Sequence, residues 1–161
     1  MKIIGKGQFT KVYRLDSKKV GLISTDPVKE AMAIGMFPKS KLFPVIDSLD
    51  DSNEFDYIMN YDPDLKERSV LPKLNPYYQN LYKQLKTIDR VFNRDSFFRS
   101  LARLKGVRIY HKNALKKAFE CLINYAEEHQ IKFEISPRNV STKNGRLILN
   151  DCFFLTIAEP I

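Results

Sequence analysis

Three polar side chains near the end of this 161-residue chain are spaced for joint chemistry: Glu134, Asn139 five residues on, and Asp151 twelve residues after that. They lie in the run Phe133-Glu134-Ile135-Ser136-Pro137-Arg138-Asn139-Val140, followed by Asn144-Gly145 and then Leu147-Ile148-Leu149-Asn150-Asp151-Cys152-Phe153. Asn-Gly between apolar runs is a strong hairpin signal, so the strand Arg146 to Leu149 returns and delivers Asp151. A carboxylate so placed can take a proton from an attacking hydroxyl, and grouped carboxylate and carboxamide oxygens suit a hard cation. Each residue alone also has a structural use, Asn139 as a turn former after Pro137-Arg138 and Asp151 as a strand-end cap.

The elements that must position these groups follow from patterning. Lys2 to Ile4 and Lys11 to Leu15 are strand-like runs around Gly5-Lys6-Gly7-Gln8-Phe9, and Asp16-Ser17-Lys18 turns the chain into the apolar run Val20-Gly21-Leu22-Ile23. Asp26-Pro27 supplies an N-cap with proline at the first helical position, and Val28 to Met36 continues a helix that Pro38 is expected to stop. Leu42 to Asp47 and Phe55 to Tyr61 read as two more strands joined by the acidic turn Asp50 to Asn53. The expected order is three strands, helix, two strands. A charged, proline-containing connection covers about 62–74. Asn75-Pro76 then opens helices, the first with Tyr78, Leu81, Leu85, Ile88 and Phe92 on one face. A later one after Asn113 carries Leu115, Ala118, Phe119, Leu122, Ile123 and Ala126 and ends at Glu127-Glu128-His129-Gln130. Ile131-Lys132-Phe133 and Val140-Ser141-Thr142 are short β runs.

Three segments, in the right order, resemble protein-kinase motifs. Gly5-Lys6-Gly7-Gln8-Phe9-Thr10-Lys11-Val12-Tyr13 is similar to the nucleotide-binding loop G-x-G-x-x-G-x-V, with Thr10 at the third glycine; a plain glycine-containing turn is the alternative. Phe133-Glu134 followed by Asn139 is similar to the catalytic loop H-R-D-L-x-x-x-N, with Lys132 where the family has histidine. Asp151-Cys152-Phe153 is similar to D-F-G. The resemblance implies an α+β, two-lobed minimal kinase-like fold forming one domain over 1–161. Its N-lobe, an antiparallel sheet with one helix, would cover about 1–61, and a mostly helical, truncated C-lobe 75–161. It implies ATP and Mg²⁺ as cofactors, Glu134 as catalytic base, Asn139 and Asp151 as metal ligands, and Gly5, Lys6, Gly7, Phe9 and Lys11 as the nucleotide-binding set.

The departures from the family are specific. Val20-Gly21-Leu22-Ile23 stands where kinases carry V-A-I-K, so Ile23 replaces the phosphate-binding lysine, and strand alternation is expected to turn Gly21 and Ile23 toward the nucleotide. Lys6, Lys11 or Lys19 would have to supply the missing cation. Glu30 matches the partner glutamate of that lysine loosely. Ten residues follow Asp151, so no activation segment and no peptide-binding helices are expected. Within the family, Phe-Glu-Ile-Ser-Pro-Arg-Asn-Val looks like the very small kinase-like proteins of tailed phages. That resemblance implies a serine/threonine kinase acting on host proteins in the host cytoplasm. The alternative is an inactive kinase-like binding protein, a pseudokinase that neutralises a host protein or toxin.

Charge bears on that alternative. Of the net +8, the stretch Lys83 to Lys117 carries +9, from eleven basic residues against Asp89 and Asp95. Lys83, Arg90, Arg94, Arg99, Arg103 and Arg108 would form a surface for an acidic protein partner or protein substrate, or simply a solvated helix face. Nucleic acid is the weaker fit, since Phe97 and Phe98 lack the spacing of a base-stacking platform. No apolar run approaches the roughly 20 residues of a membrane-spanning helix, and Met1 to Gly5 is short for a secretory signal, so a cytoplasmic protein is expected. Cys121 and Cys152 lack metal-ligand spacing and are expected to be reduced. His111 and His129 are expected on the surface.

Overall fold

Apolar alternation in the N-terminal third produces an antiparallel sheet from β1 (Ile3–Lys6), β2 (Thr10–Arg14), β3 (Lys19–Ser24), β4 (Ile46–Ser48) and β5 (Tyr57–Asn60). The five strands lie in the order β1-β2-β3-β5-β4 in this computed structural model, which describes residues 2–61, 67–88, 93–158 and 160. The single crossover α1 (Pro27–Ala33) packs against β4. Asp26 caps α1 by accepting from the Val28 amide at 2.9 Å, and Pro27 sits at the start, as the sequence predicts. The helix ends earlier than Pro38: Ile34 is its C-cap, and Gly35, with φ +80°, takes the left-handed conformation that stops it.

The register fixes which side chains face inward. Val12 stands opposite Leu22 and Arg14 opposite Val20, while Tyr13 stands opposite Gly21 and Lys11 opposite Ile23. Leu22, in register with Val12, lines the cleft between the sheet and the C-terminal part, so the expectation that Gly21 and Ile23 turn toward the nucleotide side is corrected by one residue. Gly21 instead lies beneath the Phe55 ring. A Cβ there would come within 2.7 Å of Phe55 Cγ, which only glycine avoids.

Past the sheet the chain is mainly helical. A short α2 (Glu67–Val70) and a 3₁₀ turn (Leu71–Lys73) occupy part of the expected connection. The helices α3 (Pro76–Leu85), α4 (Arg94–Ala102) and α5 (Ile109–Leu122) follow. Asn75 and Asn93 cap α3 and α4 through their side chains. Tyr78, Leu81, Leu85 and Ile88 are buried on the expected face of α3 and just past its end, whereas Phe92 lies outside the described residues. Helix α5 starts at Ile109 rather than after Asn113, and Glu128–Gln130 is a separate 3₁₀ turn with a capping box. His111 is a correction: it is buried, with Nδ1 2.7 Å from the Tyr77 hydroxyl, while His129 is exposed.

Four short strands close the fold. β6 (Ile131–Phe133) pairs with β9 (Phe153–Leu155), a strand the sequence did not announce, and β7 (Val140–Lys143) pairs with β8 (Arg146–Leu149). The β7–β8 turn is Asn144-Gly145 with φ of 52° and 77°, the paired left-handed geometry of a tight hairpin. Phe133 lies opposite Phe153, and both rings join Phe97 and Phe119 in a buried aromatic cluster with centroid spacings of 5.1 to 5.7 Å. The protein is thus a mixed α+β fold with an antiparallel five-stranded sheet and several helices.

Candidate functional site

The aromatic cluster anchors the two segments that carry the polar groups. Because Phe133 and Phe153 are ladder partners with their rings packed edge to face, the residues beyond each are brought together, and the Glu134 amide donates to the Cys152 carbonyl at 2.8 Å. The Asn139 carbonyl accepts from the amides of both Asn150 (2.8 Å) and Asp151 (3.2 Å). Asn150 Nδ2 also lies 2.6 Å from Ser141 Oγ. Residues 134, 139 and 151 are therefore held in one backbone network, as their spacing suggested.

These segments face the glycine turn across a cleft of about 440 Å³. The lining divides by chemistry. Ile4, Val12, Leu22, Met59 and Tyr61 form an apolar part, and Gly5, Lys6, Gly7, Thr10, Lys29, Arg138, Asn139, Asn150 and Asp151 a polar part. Tyr61 joins the two walls, donating its hydroxyl to the Arg138 carbonyl at 2.7 Å.

Of the lysines named in the sequence as a substitute cation, Lys6 lines the cleft, and a further cation lines it from α1. Lys29, on α1, is buried and donates to Asp151 Oδ1 and to the Asn150 carbonyl, each at 3.0 Å. Burial opposes its charge, but Asp151 and Asp26 outweigh that and raise its pKa above the ordinary lysine value, so it is an ammonium. Asp26 lies buried nearby, and burial raises its pKa to about 6, against the opposing attraction of Lys29. Glu30, the neighbour flagged in the sequence, is exposed. Sequence reasoning missed Lys29, although one signal was present: it lies three residues before Met32, on the buried side of α1, where a lysine is out of place.

The other expected residues divide into two groups. Gly5, Lys6, Gly7, Asn139 and Asp151 line the cleft, with Lys6 exposed at its rim. Glu134 is exposed and outside the lining, tied to it through the Cys152 carbonyl. Lys11, on the strand position opposite Ile23, faces away from Val12 and Leu22. Phe9 holds the turn through its carbonyl, which accepts from the Thr25 amide at 2.9 Å and from Ser24 Oγ at 3.2 Å. Thr10 adds a lock, with its hydroxyl 2.7 Å from Ser24 Oγ and its carbonyl 2.9 Å from the Gly7 amide.

The glycine turn leaves space that the fold itself does not require. Neither Gly5 nor Gly7 has positive φ, and a Cβ on either would meet its nearest neighbour at 3.8 or 3.9 Å, an ordinary contact. Oxygen-bearing residues line the opposite wall: Asp151 with its half-exposed carboxylate, Asn139, and Asn150, whose buried Oδ1 has no hydrogen-bond partner among the described residues. An all-oxygen set with an unsatisfied acceptor fits a hard divalent ion such as Mg²⁺. Both thiols are buried, which raises their pKa and leaves them unreactive.

Of the expected docking residues, Lys83, Arg94, Arg99, Arg103 and Arg108 are exposed, and Arg90 lies outside the described residues. Arg108 stacks on Tyr77, 4.0 Å from the ring centroid. Among the described residues no helix is long and apolar enough to cross a membrane. No family model, curated protein or solved structure matches the chain.

Proposed function

We propose that the protein is a minimal kinase-like phosphotransferase that binds ATP in this cleft and passes its terminal phosphate to a serine or threonine hydroxyl. The observation that carries the reading is Lys29: a buried ammonium paired with Asp151 lines a cleft that the glycine turn and several apolar side chains also line. A nucleotide needs that combination, with apolar side chains against the base and fixed cations against the phosphates. The sheet carrying the glycine turn, and the short closing strands that follow the helices and carry Asn139 and Asp151, both line the cleft and support the two-lobed outline.

The residues take distinct roles in this reading. Ile4, Val12, Leu22 and Met59 enclose the base. Gly5 and Gly7 let the backbone approach the phosphates, and Lys29 and Lys6 offset their charge. Asp151 and Asn139 would hold Mg²⁺, which supplies charge neutralisation at the transferring phosphoryl group. Glu134, exposed at the margin, accepts the proton of the attacking hydroxyl. The test is transfer of label from [γ-³²P]ATP to the protein itself or to a serine/threonine peptide mixture, with Glu134→Gln and Asp151→Asn as controls. Label that is absent, or equally strong in both variants, refutes the transfer reading.

A second reading, capture of an acidic protein partner, draws on one observation: Ile109 and Tyr110 are 72% and 59% exposed directly after Arg108. Apolar side chains beside exposed cations suit an acidic segment with a hydrophobic anchor. Loss of capture by an Arg99→Glu/Arg103→Glu/Arg108→Glu variant that retains ATP binding would favour it.

A further inference from the structure

Resting on the ATP reading, we infer that this cleft takes up the nucleotide's phosphates without a divalent ion, on Lys29, Lys6 and Arg138, and that the empty cleft does not retain a metal. Three cations line the cavity against a single carboxylate, Asp151. That carboxylate is already compensated, since Lys29 Nζ lies 3.0 Å from its Oδ1. A metal ion arriving at Asp151 would have to share it with a buried ammonium whose only other hydrogen-bond acceptor among the described residues is the Asn150 carbonyl.

Lys29 has nowhere to retreat. Its side chain is 5% exposed, so it cannot turn into water, and a dication bound at Asp151 would draw away the nearer of the two carboxylates that offset its charge, leaving the buried Asp26. Asp26, the other carboxylate that acts on Lys29, is buried beneath it as the N-cap of α1 and does not line the cleft.

A polyphosphate meets the opposite situation. It brings the negative charge that Lys29, Lys6 and Arg138 lack, and it gives Lys29 a second anionic acceptor. Lys6 and Arg138 are exposed at the rim and can close on it from both walls, Lys6 from β1 and Arg138 from the turn before Asn139. Phosphate binding thus frees Asp151, and only then does the carboxylate become available to an ion. The order is nucleotide first, metal second.

Calorimetric titration and thermal shift test this with the intact chain. ATP in excess EDTA should bind within about tenfold of its affinity in Mg²⁺, a difference of roughly 1.4 kcal/mol or less. Mg²⁺ or Mn²⁺ alone should leave the melting temperature unmoved. Lys29→Met should weaken metal-free binding at least about tenfold. Because that variant alters a buried pair, Lys6→Ala/Arg138→Ala, confined to exposed side chains, provides an independent arm and should also lose metal-free affinity. ATP binding that needs Mg²⁺, or a divalent ion that stabilises the empty protein, overturns the inference while leaving the ATP reading standing. ATP that binds under neither condition overturns both.

Discussion

Lys29 and Asp151, 122 residues apart in sequence, meet at 3.0 Å and join the first helix to the end of the β7–β8 hairpin. The pair is asymmetric: the lysine side chain is 5% exposed and the carboxylate 45%. Removing either member therefore has unequal consequences. Asp151→Ala leaves a buried ammonium with a single backbone acceptor and is expected to cost about 2–4 kcal/mol, toward the range for stranding a buried charge. Lys29→Met leaves a carboxylate that water reaches, and should cost about 1–2 kcal/mol. The double variant should be more stable than the sum of the two losses, because the ammonium that Asp151→Ala strands is then absent. Urea unfolding of the four proteins measures the cycle; additive losses would mean the pair is not coupled.

The glycine turn separates stability from binding. Since a Cβ at Gly5 or Gly7 meets its nearest neighbour at 3.8 or 3.9 Å and neither residue has positive φ, alanine at either position should change stability by no more than about 0.5 kcal/mol. Space that the fold leaves open on the cleft wall is what a phosphate chain would use. ATP affinity is therefore expected to fall about tenfold or more in Gly7→Ala, by calorimetry at unchanged melting temperature. Unchanged affinity would place the phosphates elsewhere.

Gly21 shows the opposite behaviour. Its missing side chain is filled by Phe55, whose ring carbons Cγ, Cδ1 and Cδ2 stand 2.7 to 2.9 Å from where a Cβ would lie. Cγ is the rigid root of the ring, and Phe55 is buried and packed at 5.4 Å against Tyr13, so it cannot step aside cheaply. Gly21→Ala should cost about 1–3 kcal/mol, the usual range for overpacking. As the strain lies on the sheet face away from the cleft, ATP affinity of the folded fraction should be retained. A melting temperature equal to the wild type would contradict the packing.

What the sequence disclosed was local. Asp26-Pro27, Asn75-Pro76 and Asn144-Gly145 each determine a cap or turn within a few residues, and all three form as their chemistry dictates. The five-stranded sheet followed from alternation, but its facing was off by one at Leu22, because Gly21 offers no side chain to mark its side. Strand β9 escaped notice because Phe153–Leu155 is only three residues long and is specified by Phe133 across the ladder. Lys29 escaped for a related reason. Which face of α1 turns inward is set by packing against β4 and β9, and within seven residues the spacing of Lys29 to Met32 is the one local sign of it. Proximity of Asn139 to Asp151 was legible through the hairpin, whereas the cation that pairs with Asp151 arrives from another part of the chain.

Asp26 gives the fold a pH signature. Burial raises its carboxyl from 3.8 to about 6, so between those values the folded state holds a proton that the unfolded chain has released. Folding is then favoured at the acidic end, and this contribution declines as pH rises through that window, by at most about 1.4 kcal/mol per pH unit. His111 acts in the other direction, because burial lowers its pKa and the unfolded chain takes up the proton first as pH falls below about 6.5. The two must be separated by substitution. Asparagine keeps the helix cap, so Asp26→Asn should fold while losing the carboxyl's titration. The difference in unfolding free energy, wild type minus Asp26→Asn, should therefore decline between pH 4 and 6 and level off above it. Denaturant titrations at half-unit steps of pH measure that difference, and a flat or rising line would show that the Asp26 carboxyl is not raised by its burial.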